Sequence, residues 1–261
     1  TTGTRPYLLN FGQTMVRGRG LFTDIVLVPP ELKEHESRSA PTMDAQALPV
    51  GMFHHVLHSD ADSGTVRDMC RYHGVIGLRP NAVLLDWSDF CPRADGSSPG
   101  DDTKFEGMFR AIVEQDLSLM LFRYDPERGF GARRRIDVWW SSEGGNLPFA
   151  LSLLRFIISS NEWPRVEIRV LIFSEDVADN EHLLARASGL VTELRIDATI
   201  RAVNVTPEEA SFSALLEAQS KGADLVVMGA ALAEQGVSSR LERDLAPLGT
   251  ALVYRAASSF E

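Results

Sequence analysis

The chain has 261 residues, 44% of them apolar and 24% charged, which is the composition of a globular protein with one large or two modest domains. Its net charge of −10 and pI near 5.1 argue against a general nucleic-acid binder, which would be basic. No apolar run reaches the roughly 20 residues of a membrane span, and no signal-peptide pattern opens the chain.

Read in order, Arg5–Asn10 and Thr23–Val28 have the apolar run of short buried strands, with a turn and a poor helix, weakened by three glycines, between them. Residues 29–49 read as a broken helix and loop, and Met52–His58 as a third strand. Val66, Met69 and Cys70 recur at helical spacing. The Arg79–Pro80 break then introduces a fourth strand, Asn81–Trp87, followed by a polar loop. Met108, Phe109, Ile112 and Val113 mark an amphipathic helix, and Ser118–Phe122 a fifth strand that ends in the turn-rich stretch Asp125–Arg133.

The second half repeats the plan. Ile136–Trp140 is a buried strand, and Asn146 and Pro148 suit the first turn of a helix over Leu147–Ile158. After Pro148 only Ser152 and Arg155 interrupt the apolar residues, so this helix must be covered on more than one side. Strands follow at Val166–Phe173, Ala198–Val205, Asp224–Met228 and Ala251–Arg255. Between them run a helix with a stripe of Leu183, Leu184, Ala187, Leu190, Val191 and Leu194, a helix with Phe212, Leu215 and Leu216, and a short one over Ser239–Leu248. Apolar strands alternating with such helices imply parallel sheets covered on both faces. The expected fold is therefore α/β, in two similar lobes, each a mainly parallel five-stranded sheet with helices on both faces. The lobes divide as residues 1–128 and 129–261, with one continuous sheet shared between them as an option.

Little in the chain points to chemistry. His54, His55 and His58 near Asp60 and Asp62 have spacing alone in favour of a metal, so no metal site is assigned. Cys70 and Cys91 form no Cys-x-x-Cys pair and fit a reducing compartment better than a disulfide scaffold. Ser141, Ser142, Ser238 and Ser239 sit near strand ends but in no nucleophile-elbow pattern. No Walker-type loop and no Gly-x-Gly-x-x-Gly follows a strand. A glycine loop from Met228-Gly229-Ala230 to Gly236-Val237-Ser238-Ser239 is the nearest thing to a phosphate cradle. It resembles the loop by which some universal stress proteins bind ATP, but it is alanine-rich. The aspartate that those proteins carry at the end of the first strand is replaced here by Trp139, Trp140 and Ser141. No cofactor or catalytic residue is assigned.

Several short matches, in order along nearly the whole chain, carry a more specific resemblance. They are Arg5-Pro6, Gly77-Leu78-Arg79-Pro80-Asn81, Ile136-Asp137-Val138-Trp139-Trp140 with Gly144-Gly145, Leu153-Leu154, Glu167-Ile168-Arg169-Val170, Ala223–Met228 and Gly236-Val237-Ser238-Ser239. With these the chain resembles the cytosolic C-terminal domain of the cation-chloride cotransporter family. The resemblance implies a universal-stress-protein-like fold at the cytoplasmic face of a cell membrane. It implies a non-catalytic regulatory and dimerisation role, and an N-terminal transmembrane domain, absent from this chain, that moves chloride with sodium, potassium or both. It makes Asp137, Trp139, Trp140, Gly144, Gly145, Pro80, Asn81, Gly236, Ser238 and Ser239 structural signature residues. The short linker between the lobes fits a compact prokaryotic member. A homodimer is expected, with Leu151, Leu154, Phe156 and Ile158 of the apolar helix as the candidate interface. The alternative is a stand-alone nucleotide-binding protein of the universal stress type.

Overall fold

A computed structural model describes residues 5–16, 20–32, 51–73, 78–89, 102–141, 147–174, 177–204, 212–230, 232 and 237–260. The N-terminal half contributes helix α1 (Pro6–Val16), strands β1 (Phe22–Val28) and β2 (Met52–His58), helix α2 (Ser63–Tyr72), strand β3 (Ala82–Asp86), helix α3 (Asp102–Val113) and strand β4 (Ser118–Arg123). The C-terminal half alternates strictly. It runs β5 (Arg135–Ser141), α4 (Leu147–Ile158), β6 (Glu167–Ser174), α5 (Val177–Glu193), β7 (Thr199–Asn204), α6 (Phe212–Ser220), β8 (Leu225–Gly229), α7 (Val237–Leu245) and β9 (Ala251–Arg255).

The α/β class and the mainly parallel pairing are as the sequence implies, but the sheets are not two sets of five. One sheet has seven strands, ordered β3-β4-β9-β8-β5-β6-β7, and β1 and β2 form a separate parallel pair. The two halves meet inside the large sheet, where β4 runs antiparallel to β9 with Leu121 opposite Val253. Every other pairing is parallel. The C-terminal half thus has its first strand, β5, in the middle, flanked by β6 and β8, which is the doubly wound order.

One expected strand is a helix. Residues Arg5–Asn10 enter α1, because Pro6 supplies the fixed φ of a first helical position and Leu8, Phe11 and Met15 then recur every three to four residues. A short apolar run reads equally well as strand or helix, and here the proline decides.

The core is divided by face of the sheet rather than by half. On one face α1, α4 and α5 cover Phe122, Ile136, Val138, Trp140, Ile172 and Leu252. On the other, α2, α3, α6 and α7 cover Leu119, Leu121, Trp139, Leu171, Val226 and Val253. Each face therefore draws on both halves of the chain. The linker is itself ordered. Asp224 accepts from the backbone N–H groups of Ala132, Arg134 and Arg135 at 3.2, 2.7 and 3.0 Å. Gly131 turns there with φ of +50°, and a Cβ at that position would overlap the Asp224 carboxylate.

Candidate functional site

In a doubly wound sheet, ligands bind beyond the carboxyl ends of the strands where the order reverses. In this chain that place is the end of β5, between β6 and β8. Side chains alternate across a strand, so Ile136, Val138 and Trp140 face one layer of helices while Asp137 and Trp139 face the other. Both tryptophans are buried, at 3% and 4% exposure, so aromatic bulk fills the two layers beside the end of β5. The guanidinium of Arg186 on α5 lies 5.6 Å from the centroid of the Trp140 ring, a cation–π distance. Trp139 stands edge-on to Phe212 at 5.8 Å and donates its indole N–H to Ser220 Oγ at 2.9 Å.

Asp137 is wholly buried, and its charge is met from the neighbouring strand. Arg169, its register partner on β6, donates Nε to Oδ1 at 2.8 Å and Nη2 to Oδ2 at 2.6 Å, the two-pronged geometry of a strong guanidinium–carboxylate pair. Asp137 holds the Arg169 guanidinium above its ordinary pKa through this hydrogen bond. Arg169 Nη2 also donates to the Gln219 carbonyl at 2.8 Å, at the C-terminal end of α6 where a cation suits the helix dipole. Asp137, through Arg169, and Trp139, through Ser220, therefore fasten the same end of α6 to the sheet. That is an anchoring arrangement.

The other signature residues are more scattered. Asn81 is exposed at the entry to β3, where its carbonyl accepts from Ser118 N–H at 3.0 Å, and half-buried Pro80 precedes it. Gly144, Gly145 and Gly236 lie outside the described residues, and of Ser238 and Ser239 only the backbone, in the first turn of α7, is described. The glycine loop is thus seen only at its edges. Among the candidate interface residues, Leu151 and Leu154 are fully covered by the chain itself, since α4 packs against α1, α5 and the sheet. Phe156 and Ile158 are half-buried and keep some surface.

A polar cluster that sequence reading did not single out lies at the carboxyl end of β3. Arg5 pairs with the buried Asp86 at 3.2 Å and with Asp89, and Tyr7 donates its hydroxyl to Asp86. Burial, together with the hydrogen bond to Asp86, pushes the Tyr7 hydroxyl up to about 12. The only sequence signal was Arg5-Pro6, whose partners are about 80 residues away and not deducible from spacing. Beside α1, a cleft lined by Tyr7, Phe11, Tyr124, Phe130, Arg133 and Trp163 encloses about 70 Å³, well below the roughly 300–1,000 Å³ of small-molecule sites. Among the described residues His54 pairs with Asp24 at 2.7 Å rather than with His58, and no group of three or more potential metal ligands forms. No described helix is long and apolar enough to cross a membrane.

No family model matches the chain. It is 23% identical over 218 residues to potassium/chloride cotransporter 3 of Caenorhabditis elegans, a match covering 78% of this chain and 20% of that protein. The chain thus spans about a fifth of the length of this curated relative. The crystal structure of the cytoplasmic domain of a prokaryotic cation chloride cotransporter superposes with a TM-score of 0.69 and 15% identity, covering 95% of this chain and 89% of that one. A universal stress protein from Archaeoglobus fulgidus DSM 4304 superposes at 0.60 and 14% identity, covering 98% and 94%. The chain is therefore similar to a cation-chloride cotransporter in sequence, and to the cytoplasmic domain of one in fold.

Proposed function

We propose that this chain is the cytoplasmic, non-catalytic regulatory and dimerisation domain of a membrane transporter that moves chloride with sodium, potassium or both. The observation that carries the reading is a convergence. The chain is similar in sequence, over most of its length, to a cotransporter, and in fold to the cytoplasmic domain of another. The geometry supports the non-catalytic part. The switch point ends in two buried tryptophans, and the buried charges there are spent on fastening α6. The transport chemistry belongs to a membrane domain of the same polypeptide, N-terminal to this chain.

In this reading two copies associate through a patch centred on the exposed parts of Phe156 and Ile158, with Leu151 and Leu154 fixing the helix beneath it. A two-fold dimer would place the same patch of each copy against the other. Pro80, Asn81, Gly144, Gly145, Gly236, Ser238 and Ser239 shape the frame and bind no ligand. The domains meet near the linker, as 1–128 and 129–261.

A second reading, a nucleotide-binding protein of the universal stress type, is favoured by the superposition on such a protein. Two measurements separate them. The complete reading frame containing this chain is tested for chloride-dependent cation uptake, and the isolated chain is titrated with ATP by calorimetry. Uptake without ATP binding supports the transporter reading. ATP binding by a soluble complete product, with no uptake, overturns it.

A further inference from the structure

The C-terminal half is a template against which the N-terminal half can be laid, element by element. From their carboxyl ends backward, β4 matches β9, α3 matches α7, β3 matches β8, α2 matches α6 and β2 matches β7. Then β1 matches β6 and α1 matches α4. The pairings agree: β1–β2 are parallel neighbours like β6–β7, and β3–β4 like β8–β9. The first helices of the two halves, α1 and α4, pack against each other. The place of α5, between β1 and β2, falls largely outside the described residues; among the strands, β5, the central one that joins β6 to β8, has no described counterpart between β1 and β3.

Burial marks the same place. In the C-terminal half the strands flanking β5 are closed, with Val170, Leu171 and Ile172 of β6 and Leu225 to Met228 of β8 all buried. Their counterparts are equally apolar, yet Ile25, Val26 and Leu27 of β1 and Val83, Leu84 and Leu85 of β3 are only half-buried. Among the described residues, β1 has a strand partner on one edge only, and so does β3. Helix α1 bridges the two sides. Its Gly12 lies against the Phe22 ring of β1, where an added Cβ would come within 2.5 Å, and Gln13 Nε2 donates to Met52 Sδ of β2 at 3.1 Å. On the other side Phe11 stacks on Phe122 of β4 at 4.4 Å, and Arg5 pairs with Asp86.

We infer that the edges of β1 and β3 facing each other beneath α1 form a one-strand docking slot, occupied by the stretch of the same polypeptide encoded directly before Thr1. The position of Arg5 chooses this occupant. A parallel strand between β1 and β3 must finish at the carboxyl end of β3 and lead into a helix crossing back over the sheet. Arg5-Pro6, which opens α1, is held at that end by Asp86. The segment that fits is about five to seven residues of β-branched and aliphatic side chains apolar on both faces, because a central parallel strand is covered from both sides. Docking there closes two rows of backbone donors and acceptors at once, as in strand addition to a sheet edge. This inference rests on sheet order, burial and the position of Arg5, and is independent of the transport reading.

The test is amide hydrogen exchange on two proteins, the 261-residue chain and the same chain extended by the dozen or so residues that its reading frame encodes before Thr1. In the shorter protein, slot-facing amides of Phe22–Val28 and Ala82–Asp86 should exchange much faster than those of β6 and β8. In the longer one they should slow by about 100-fold or more, as opening the edge comes to require undocking a strand. A proline in the middle of the added segment should return them to fast exchange while β6 and β8 stay protected. Equal protection in the two proteins would overturn the inference. So would protection of the shorter protein that rises with its concentration, because a second copy would then be filling the slot.

Discussion

At the scale of the residue, Asp137 is the charge that ties β5 to β6 and, through Arg169, to α6. A carboxylate with no exposed surface is tolerated because Arg169 meets both of its oxygens. Removing one partner leaves the other charge buried, so Asp137→Ala should lower unfolding free energy by about 3–5 kcal/mol. The double variant Asp137→Ala/Arg169→Met should cost clearly less than the sum of its singles, measured by urea denaturation. Additive losses would mean that the pair does not act as a unit. His73 makes a pH prediction. Its ring stands edge-on to His55 at 5.4 Å, and its Nε2 is buried without a hydrogen-bond partner among the described residues. Burial, and then repulsion from His55, lower its pKa from the usual 6.5. The unfolded chain takes the proton first, so the stability that neutral His73 contributes is whole above about pH 6.5 and is lost as pH falls toward its lowered native value. Urea midpoints measured from pH 7.5 to 5 should fall, and His73→Phe should flatten that slope. An unchanged slope in the variant would refute the assignment.

At the scale of the element, α4 is buried in the core on one side and, in the proposed dimer, would meet a second copy through the rest of its surface. Leu154 has no exposed surface, so Leu154→Ala should cost about 2–5 kcal/mol of stability through the cavity it leaves. Phe156→Asp with Ile158→Asp should cost less stability, because both positions are half-exposed, and should shift the sedimentation of the isolated chain from dimer to monomer. If the native chain already sediments as a monomer at high concentration, the proposed patch is wrong. Periodicity and strand-length apolar runs were enough to find the elements of the C-terminal half, and Leu147–Ile158 and Ala251–Arg255 match residue for residue. The run Arg5–Asn10 was not decided by periodicity, because six residues sample both periods and only Pro6 distinguishes them. Distance in sequence hid the rest. Nothing in Ile-Asp-Val-Trp-Trp says that its aspartate meets Arg169 or that its first tryptophan meets Ser220.

At the scale of the whole molecule, the two halves are joined through the antiparallel β4–β9 pair and two core layers that each cross the boundary. Sequence repetition implied two similar lobes, but strand order across the boundary depends on contacts that no local pattern encodes. A large sheet whose buried charges anchor its helices is compatible with the proposed role as a platform for assembly. The most direct measurement is cation uptake into vesicles bearing the complete reading frame that contains this chain, with rubidium and sodium as tracers, in chloride and in gluconate. The account predicts uptake that requires chloride and is lost when the cytoplasmic domain is destabilised by Asp137→Ala. A complete product that stays out of the membrane, or uptake indifferent to chloride, would contradict it.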